Sequence, residues 1–305
     1  MEASWVALVI IASAGIHPVR DLLLKGGSSP NGRYFLYALC WIPMTLVHGL
    51  VFEQNLSLPP ALWLSVCLSA LGLLLYYFGT FQALRVSDLS IYYPIIRCLP
   101  VAILLFSVVV LGVQYSLLVV VSILMIFVGT IMLQKPKGRI FGNRLALLAA
   151  VLAMVGSAIY TIVDARAIQS VEPGAYLFFI YLLVSAGLLC LLAIDTRLAT
   201  KTGATKAGAA KDGTAPRTVA GDVRASLSWR VPVVAATSYA AYLLVLQAFA
   251  MGGEAAAVSA VRQASIPVSV LMGVFILRES GLSRRFLWAI VIAAGIAAIG
   301  LFGRV

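Results

Sequence analysis

Ten stretches of mostly apolar residues, parted by short polar or Gly/Pro-rich breaks, run the length of the chain. Each is close to the roughly 20 residues that a helix needs to cross the hydrocarbon core of a bilayer. They cover 3–24, 34–52, 61–81, 89–111, 116–133, 145–163, 175–194, 231–251, 255–277 and 285–302. The rest of the composition agrees, since 62% of the residues are hydrophobic and only 11% are charged. A soluble domain carries about 25% charged residues, so too little polar surface is present here to solvate a globule of this size. An ordinary soluble enzyme is thereby excluded, and the expected fold class is an all-α membrane protein. The first run carries His17 and Arg20, and it lacks both a basic leader and a small-residue cleavage site. It reads as the first span, not as a removable signal peptide.

The basic residues set an expected orientation. Of the 22 Lys and Arg residues, Arg97 and Arg262 fall inside spans and Arg166 and Arg304 fall on one side of the membrane. All the others gather around the loops that follow odd-numbered spans. Basic residues concentrate in cytoplasmic loops, so these loops are expected inside and both termini outside, in a multi-pass protein of the inner (plasma) membrane. The net charge of +11 then reflects topology, and no nucleic-acid partner is expected. One loop is long. Residues 195–229 are rich in Ala, Gly, Thr, Lys and Arg, hold Pro216, and lack the apolar residues a core needs; a disordered cytoplasmic linker is expected there. Cys40, Cys67, Cys98 and Cys190 lie in apolar runs without metal-ligand spacing, and they read as small buried side chains.

The chain also matches itself. One offset carries Tyr77, Gln82, Ala83 and Arg97 onto Tyr242, Gln247, Ala248 and Arg262, and one residue more carries Gly129 onto Gly295. A shorter offset, on the near side of the long loop, carries Asp21 and Pro30 onto Asp164 and Pro173. Each unit holds five spans, an odd number, so the second copy crosses the membrane the opposite way. The expected architecture is ten transmembrane helices as two inverted five-helix repeats, 1–138 and 139–305. In such folds the substrate site lies near the midplane, between the copies.

The residues that carry the repeat also resemble a known family, the ten-helix EamA branch of the drug/metabolite transporter superfamily. In the first half the resemblance rests on Ala83-Leu84-Arg85-Val86-Ser87-Asp88-Leu89-Ser90 leading to Tyr93-Pro94-Ile95-Ile96-Arg97-Cys98-Leu99-Pro100. In the second half it rests on Val258-Ser259-Ala260-Val261-Arg262 leading to Ile266-Pro267-Val268, then on Leu277-Arg278-Glu279 and Gly295. It covers essentially the whole chain outside the long loop and implies secondary transport. The first half departs from the family pattern, with Val113 or Gln114 where the family often has the counterpart of Glu279. Many relatives also place their termini inside. The Arg-x-x-Pro pattern at Arg97 is similar to that of a subgroup linked to phosphonate use.

A charge inside a membrane span costs several kcal/mol unless it faces a cavity or a partner, so Arg97 and Arg262 are the leading candidates. A pseudo-two-fold axis would set them across one cavity, where two guanidiniums offer fork-shaped donors to a carboxylate, phosphate or phosphonate. The other reading has each arginine paired internally, with carbonyls at helix breaks near Pro94, Pro100 and Pro267 or with an acid. His17, beside Pro18, is placed to relay a coupling proton; the alternative is a hydrogen bond to another helix, or pairing with Asp21. Gln82, Gln247, Tyr77, Tyr93, Tyr160 and Tyr242 are candidate lining residues with orienting hydrogen bonds.

The expected function is therefore a secondary active transporter of a small polar metabolite, anionic or zwitterionic, working by alternating access as a monomer or homodimer. Two alternatives remain open: a flippase for a lipid-linked anion, and a drug-type exporter of cations or amines. No GxxxxGK[ST] occurs, so ATP is not the direct driver, and no cofactor or metal is called for. A membrane enzyme would need a nucleophile, a base and an orienting group together; there is no HExxH and no paired midplane carboxylates, so no enzyme is expected.

Overall fold

Apolar runs of this length have one way to satisfy their own N–H and C=O groups away from water, which is to bond them within the run. The computed structural model describes residues 2–24, 30–86, 95–133, 144–201, 218–268 and 282–302, and among these it contains helices and connecting turns but no strand. The helices are α1 (Glu2–Leu24), α2 (Pro30–Val51), α3 (Trp63–Val86), α4 (Leu99–Val109), α5 (Leu117–Leu133), α6 (Arg144–Ala167), α7 (Pro173–Lys201), α8 (Val219–Ser226), α9 (Arg230–Ala250), α10 (Ala255–Val261) and α11 (Leu282–Phe302). Among the described residues, five segments are long and apolar enough to cross a membrane: Gly32–Val51, Pro60–Ala83, Arg144–Ala167, Pro173–Leu198 and Arg230–Ala250. Shorter apolar helices accompany them. Large apolar side chains such as Leu50, Leu117 and Val109 are at least 70% exposed, a surface that lipid solvates and water does not.

Two spans expected to be continuous are broken. The run at 89–111 holds a turn at Arg97–Cys98 before α4 begins. Pro100 sits in the first helical turn, and because it lacks an N–H it cannot bond back to the carbonyl of Ile96, so the helix restarts there. The run at 255–277 opens as α10 and then tightens into a 3-10 turn over Arg262–Ala264. Pro267 likewise cannot donate to the carbonyl of Gln263. Arg97 therefore sits in a turn, while Arg262 follows the unbroken helix α10.

The expected linker at 195–229 is also narrower than its composition implies. Residues to Lys201 continue α7, and Val219–Ser226 form α8. The Thr218 hydroxyl caps α8 by accepting from the Gly221 N–H at 3.0 Å. Asp222 and Ser226 of α8 are buried, and both approach Gly32 at the start of α2. A low-hydropathy segment can dock when its few contacts fall on one helical face, which composition does not register.

Small residues set how closely the helices pack. The most extensive pairings are α3 on α6, α5 on α11, α2 on α7 and α1 on α9. In the first, a Cβ on Gly156 would stand 2.5 Å from the Gly72 carbonyl oxygen and 2.6 Å from the Tyr76 nitrogen. Only a glycine fits against backbone at that distance. In the α5–α11 pair the contact is reciprocal. A Cβ on Gly129 would lie 2.7 Å from Ile292 Cγ1 and 3.3 Å from the Trp288 oxygen, and one on Gly295 would lie 2.8 Å from Ile126 Cγ1 and 3.0 Å from the Ser122 oxygen. Between α1 and α9 the Ser13 hydroxyl donates to the Ala241 carbonyl at 2.7 Å. Every residue of α10 is buried, so this short helix threads the core.

A glycine that sets a backbone-to-backbone contact cannot grow without parting two helices. Gly156→Leu is expected to lower the thermal stability of the detergent-purified protein by about 1–3 kcal/mol, the usual cost of overpacking. Gly15→Leu, where nothing lies within 4 Å of a new Cβ, leaves it nearly unchanged. Thermal unfolding of the two variants checks this.

Candidate functional site

The two broken helices meet. Arg97, half-buried in the turn ahead of α4, donates from Nη1 to Gln263 Oε1 at 2.8 Å. Gln263 is buried and directly follows Arg262, which opens the 3-10 turn and is itself half-buried. Arg97 thus reaches the turn that Arg262 opens, at the end of α10. A helix break suits an arginine because backbone groups there lack helical partners, and in a lipid-solvated fold such irregular backbone is tolerated where it is enclosed by protein or lines a cavity.

Beside these turns lies a buried carboxylate. Asp164, near the end of α6, has no exposed surface. One oxygen accepts from the Tyr176 hydroxyl of α7 at 2.7 Å and the other from the Tyr242 hydroxyl of α9. The buried Ser69 hydroxyl of α3 adjoins the same group. Among the described residues no cation forms an ion pair with it. The helices that carry this pair, α6 with Asp164 and α9 with Tyr242, both pack on α10, which ends at the arginine turn.

Aromatic rings extend from Tyr242 in a connected series. Trp41, buried in the middle of α2, stacks on Tyr181 of α7 with centroids 4.0 Å apart and planes at 22°. Its other neighbours are Tyr239 at 5.3 Å, edge-on, and Tyr242 at 6.0 Å. Tyr160 of α6 meets Tyr242 at 6.2 Å and Tyr76 of α3 at 6.3 Å, and Tyr76 leads on to Tyr77 at 5.4 Å. At the far end the Tyr239 hydroxyl shares a 2.5 Å hydrogen bond with Nδ1 of His48. These edge-on and stacked contacts fix ring orientation and leave the phenolic hydroxyls as the polar groups.

The expected lining residues divide. Tyr77, Tyr160 and Tyr242 belong to the cluster. Gln82 is half-buried on α3 and Gln247 is exposed near the end of α9, and among the described residues no hydrogen bond or ring contact joins either to it. Tyr93 lies outside the described residues, as does the side chain of His17. Trp41, Tyr176, Tyr181 and Gln263 join the site without having been expected there. Trp41 carried a signal, since a tryptophan in the middle of a span is out of place for an interfacial belt. Asp164 carried one too, since it adjoins the end of the expected span 145–163 and is the repeat counterpart of Asp21. No three His, Cys, Asp or Glu side chains come together as a metal site among the described residues.

No protein-family model and no curated protein sequence matches the chain. A solved structure described as "Crystal structure of protein" is 18% identical, with a TM-score of 0.69 over 97% of this chain and 95% of that one. At that identity the likeness is one of fold alone.

The stack on Tyr181 makes Trp41 the ring on which the cluster's order depends. Trp41→Ala is expected to cost about 3–5 kcal/mol, as large-to-small changes of buried aromatics do, whereas Trp229→Ala, at a position 68% exposed, stays near zero. Thermal unfolding in detergent measures both.

Proposed function

We propose that this chain is a secondary carrier of a small anionic or zwitterionic metabolite, belonging to the ten-helix EamA branch of the drug/metabolite transporters. The observation that carries the reading is the meeting of the two broken helices, with Arg97 bonded to the residue next to Arg262. Guanidiniums within the spans of a lipid-solvated fold are costly unless they serve an anion or a partner, and their planar forks suit carboxylate, phosphate or phosphonate.

The carrier is read as ten spans in two inverted repeats. The α5–α11 contact supports this, because the offset that relates Gly129 to Gly295 also relates Ile126 to Ile292 and Ser122 to Trp288, so each half of the contact repeats the other. The helix pairings agree: α1 on α9 is the repeat counterpart of α6 on α3, while α2 on α7 and α5 on α11 are their own counterparts. Substrate is held between the halves, and rocking of one half on the other exposes it to each side in turn. Both termini face outward, by the distribution of Lys and Arg.

A second reading is favoured by one feature. The aromatic cluster around Trp41 offers ring faces of the kind that hold organic cations, which suits an exporter of amines. One experiment separates the two. Thermal stability of the detergent-purified protein is followed with sulfate, methylphosphonate, acetate, glycine betaine and tetramethylammonium, since a ligand that binds the folded state raises it by mass action. Stabilisation by the anions, abolished in both Arg97→Ala and Arg262→Ala, is the expected result. Stabilisation by tetramethylammonium alone, unchanged in both variants, makes the arginines structural and the protein an amine exporter.

A further inference from the structure

The carrier reading leaves the driving ion unassigned, and one buried group is built to supply it. We propose that Asp164 binds the proton that drives transport, and that Tyr242 transmits its protonation state to the arginine turn. The proposal rests on the carrier reading and adds to it the coupling ion and the residue that binds it.

The argument starts from the surroundings of Asp164. A carboxylate taken wholly out of water either keeps its charge on hydrogen bonds or takes up a proton. Asp164 is wholly buried, and what touches it are hydroxyls: Tyr176 of α7, Tyr242 of α9 and Ser69 of α3. Hydroxyls are suited to both states, because each can donate to a carboxylate oxygen or turn and accept from a carboxylic acid. A guanidinium or ammonium in their place could only donate and would hold the group ionised.

Among the described residues, the charged and titratable groups that face it from the helices packed around it are mostly tyrosines and arginines. Tyr76 and Tyr77 face the region from α3, Tyr176 and Tyr181 from α7, and Tyr239 and Tyr242 from α9, with Tyr160 on α6 itself. Arg97 lies ahead of α4 and Arg262 follows α10, while Arg166, two residues along α6, is exposed. Phenols and guanidiniums keep their protons between about pH 5 and 8. His48 is reached only through Tyr239, and Glu254 stands ahead of the first residue of α10.

Protonation has a defined consequence. A hydronium ion gives up one proton, its O–H bond breaking as an O–H bond forms on a carboxylate oxygen and a water molecule leaves, and that oxygen changes from acceptor to donor. If it is the oxygen facing Tyr242, the tyrosine must turn its hydroxyl to accept, and its own hydrogen then points away from Asp164. Tyr242 on α9 and Asp164 on α6 both belong to helices that pack on α10, which ends at the arginine turn. Neutralising Asp164 removes a negative charge from beside the arginine turn, so an anion is held there more tightly when the proton is bound. Proton and anion therefore bind together, which is the logic of a symporter, and by linkage each raises the affinity of the other equally.

Infrared difference spectroscopy of the reconstituted protein between about pH 8 and 5 tests the proton site without any knowledge of the substrate. A carboxylic-acid C=O band that grows as pH falls, is lost in Asp164→Asn and is kept in Glu172→Gln is the expected result. Tyr242→Phe shifts that band by removing one hydrogen bond, a readout that survives if Asp164→Asn fails to fold. A band that does not depend on pH, or that persists in a folded Asp164→Asn protein, overturns the proposal and leaves the carrier reading standing.

The coupling is read separately with sulfate, whose charge is constant over this range. Its apparent affinity, from thermal stabilisation, rises at least about fivefold toward the acid end in the wild type, at the low end of ordinary coupling energies. It is high and independent of pH in Asp164→Asn. Equal pH dependence in both proteins overturns the coupling. An intact Asp164 band with no anion stabilisation at any pH counts against the arginine site, not against the proton site.

Discussion

Lipid gives no help to a polar group, and every other feature of this fold answers to that fact. In water an unsatisfied carbonyl or hydroxyl finds a solvent partner; inside a bilayer it must be satisfied by the protein itself. The long helices solve the problem for the backbone. What remains is a small set of polar side chains, and several of them carry a partner into the core. Arg97 brings Gln263, Asp164 brings Tyr176 and Tyr242, and Ser13 brings the Ala241 carbonyl. Hydrophobic burial does not distinguish one helix pairing from another when lipid is as apolar as leucine. Close approach does, and it comes from Gly72 against Gly156 and from Gly129 and Gly295 against isoleucines.

Against this background the broken helices are the expensive elements. A turn at Arg97–Cys98 and a 3-10 turn at Arg262–Ala264 each forgo regular helical hydrogen bonds, and the cost is tolerable only because protein encloses them. α10 is buried at every residue, so the Arg262 turn never meets lipid from that direction. At the first of the two breaks Pro100 cannot close the hydrogen bond a continuous helix needs, whereas after the second the chain resumes as helix over 265–268. The sequence thus spends proline where it needs an irregular backbone and glycine where it needs a close one.

How much of this could be read beforehand follows from the range of each interaction. Helix positions were legible, because length and apolarity are local: the expected run 116–133 and α5 (Leu117–Leu133) differ by one residue, and the runs 145–163 and 231–251 lie within or against α6 and α9. Arg97 and Arg262 were legible as a pair because a charge in an apolar run needs no partner to be noticed. The turns that carry them lie near prolines, yet both spans were read through as continuous. Gln263, Trp41 and Tyr181 were not legible as site members. Glutamine, tryptophan and tyrosine occur elsewhere in these spans, and only the tertiary pairing of α2 with α7, and of the two turns with each other, separates those in the cluster from Gln247, exposed on α9. Segment 219–226 failed for the opposite reason. Its composition is that of a linker, and one buried face on eight residues is too weak a pattern to stand out.

The internal repeat sharpens what the site can do, because it relates positions whose chemistry differs. It carries Gly129 onto Gly295 and Ile126 onto Ile292, where packing alone is at stake, and the residues are kept. At the arginine turn it carries Cys98 onto Gln263, and only the glutamine can accept from a guanidinium. Where it carries Ser13 onto Gly156, one member bonds across to Ala241 and the other presses against backbone. Packing contacts common to both halves suit a frame that can rock either way, since the same surfaces must slide in both directions. Chemistry present in one half only suits a site that holds its ligand in one orientation. The acid is not one-sided, since the repeat carries Asp21 onto Asp164 and Tyr77 onto Tyr242; on the carrier reading proposed above, the difference between the halves lies in the glutamine beside Arg262, which bonds Arg97.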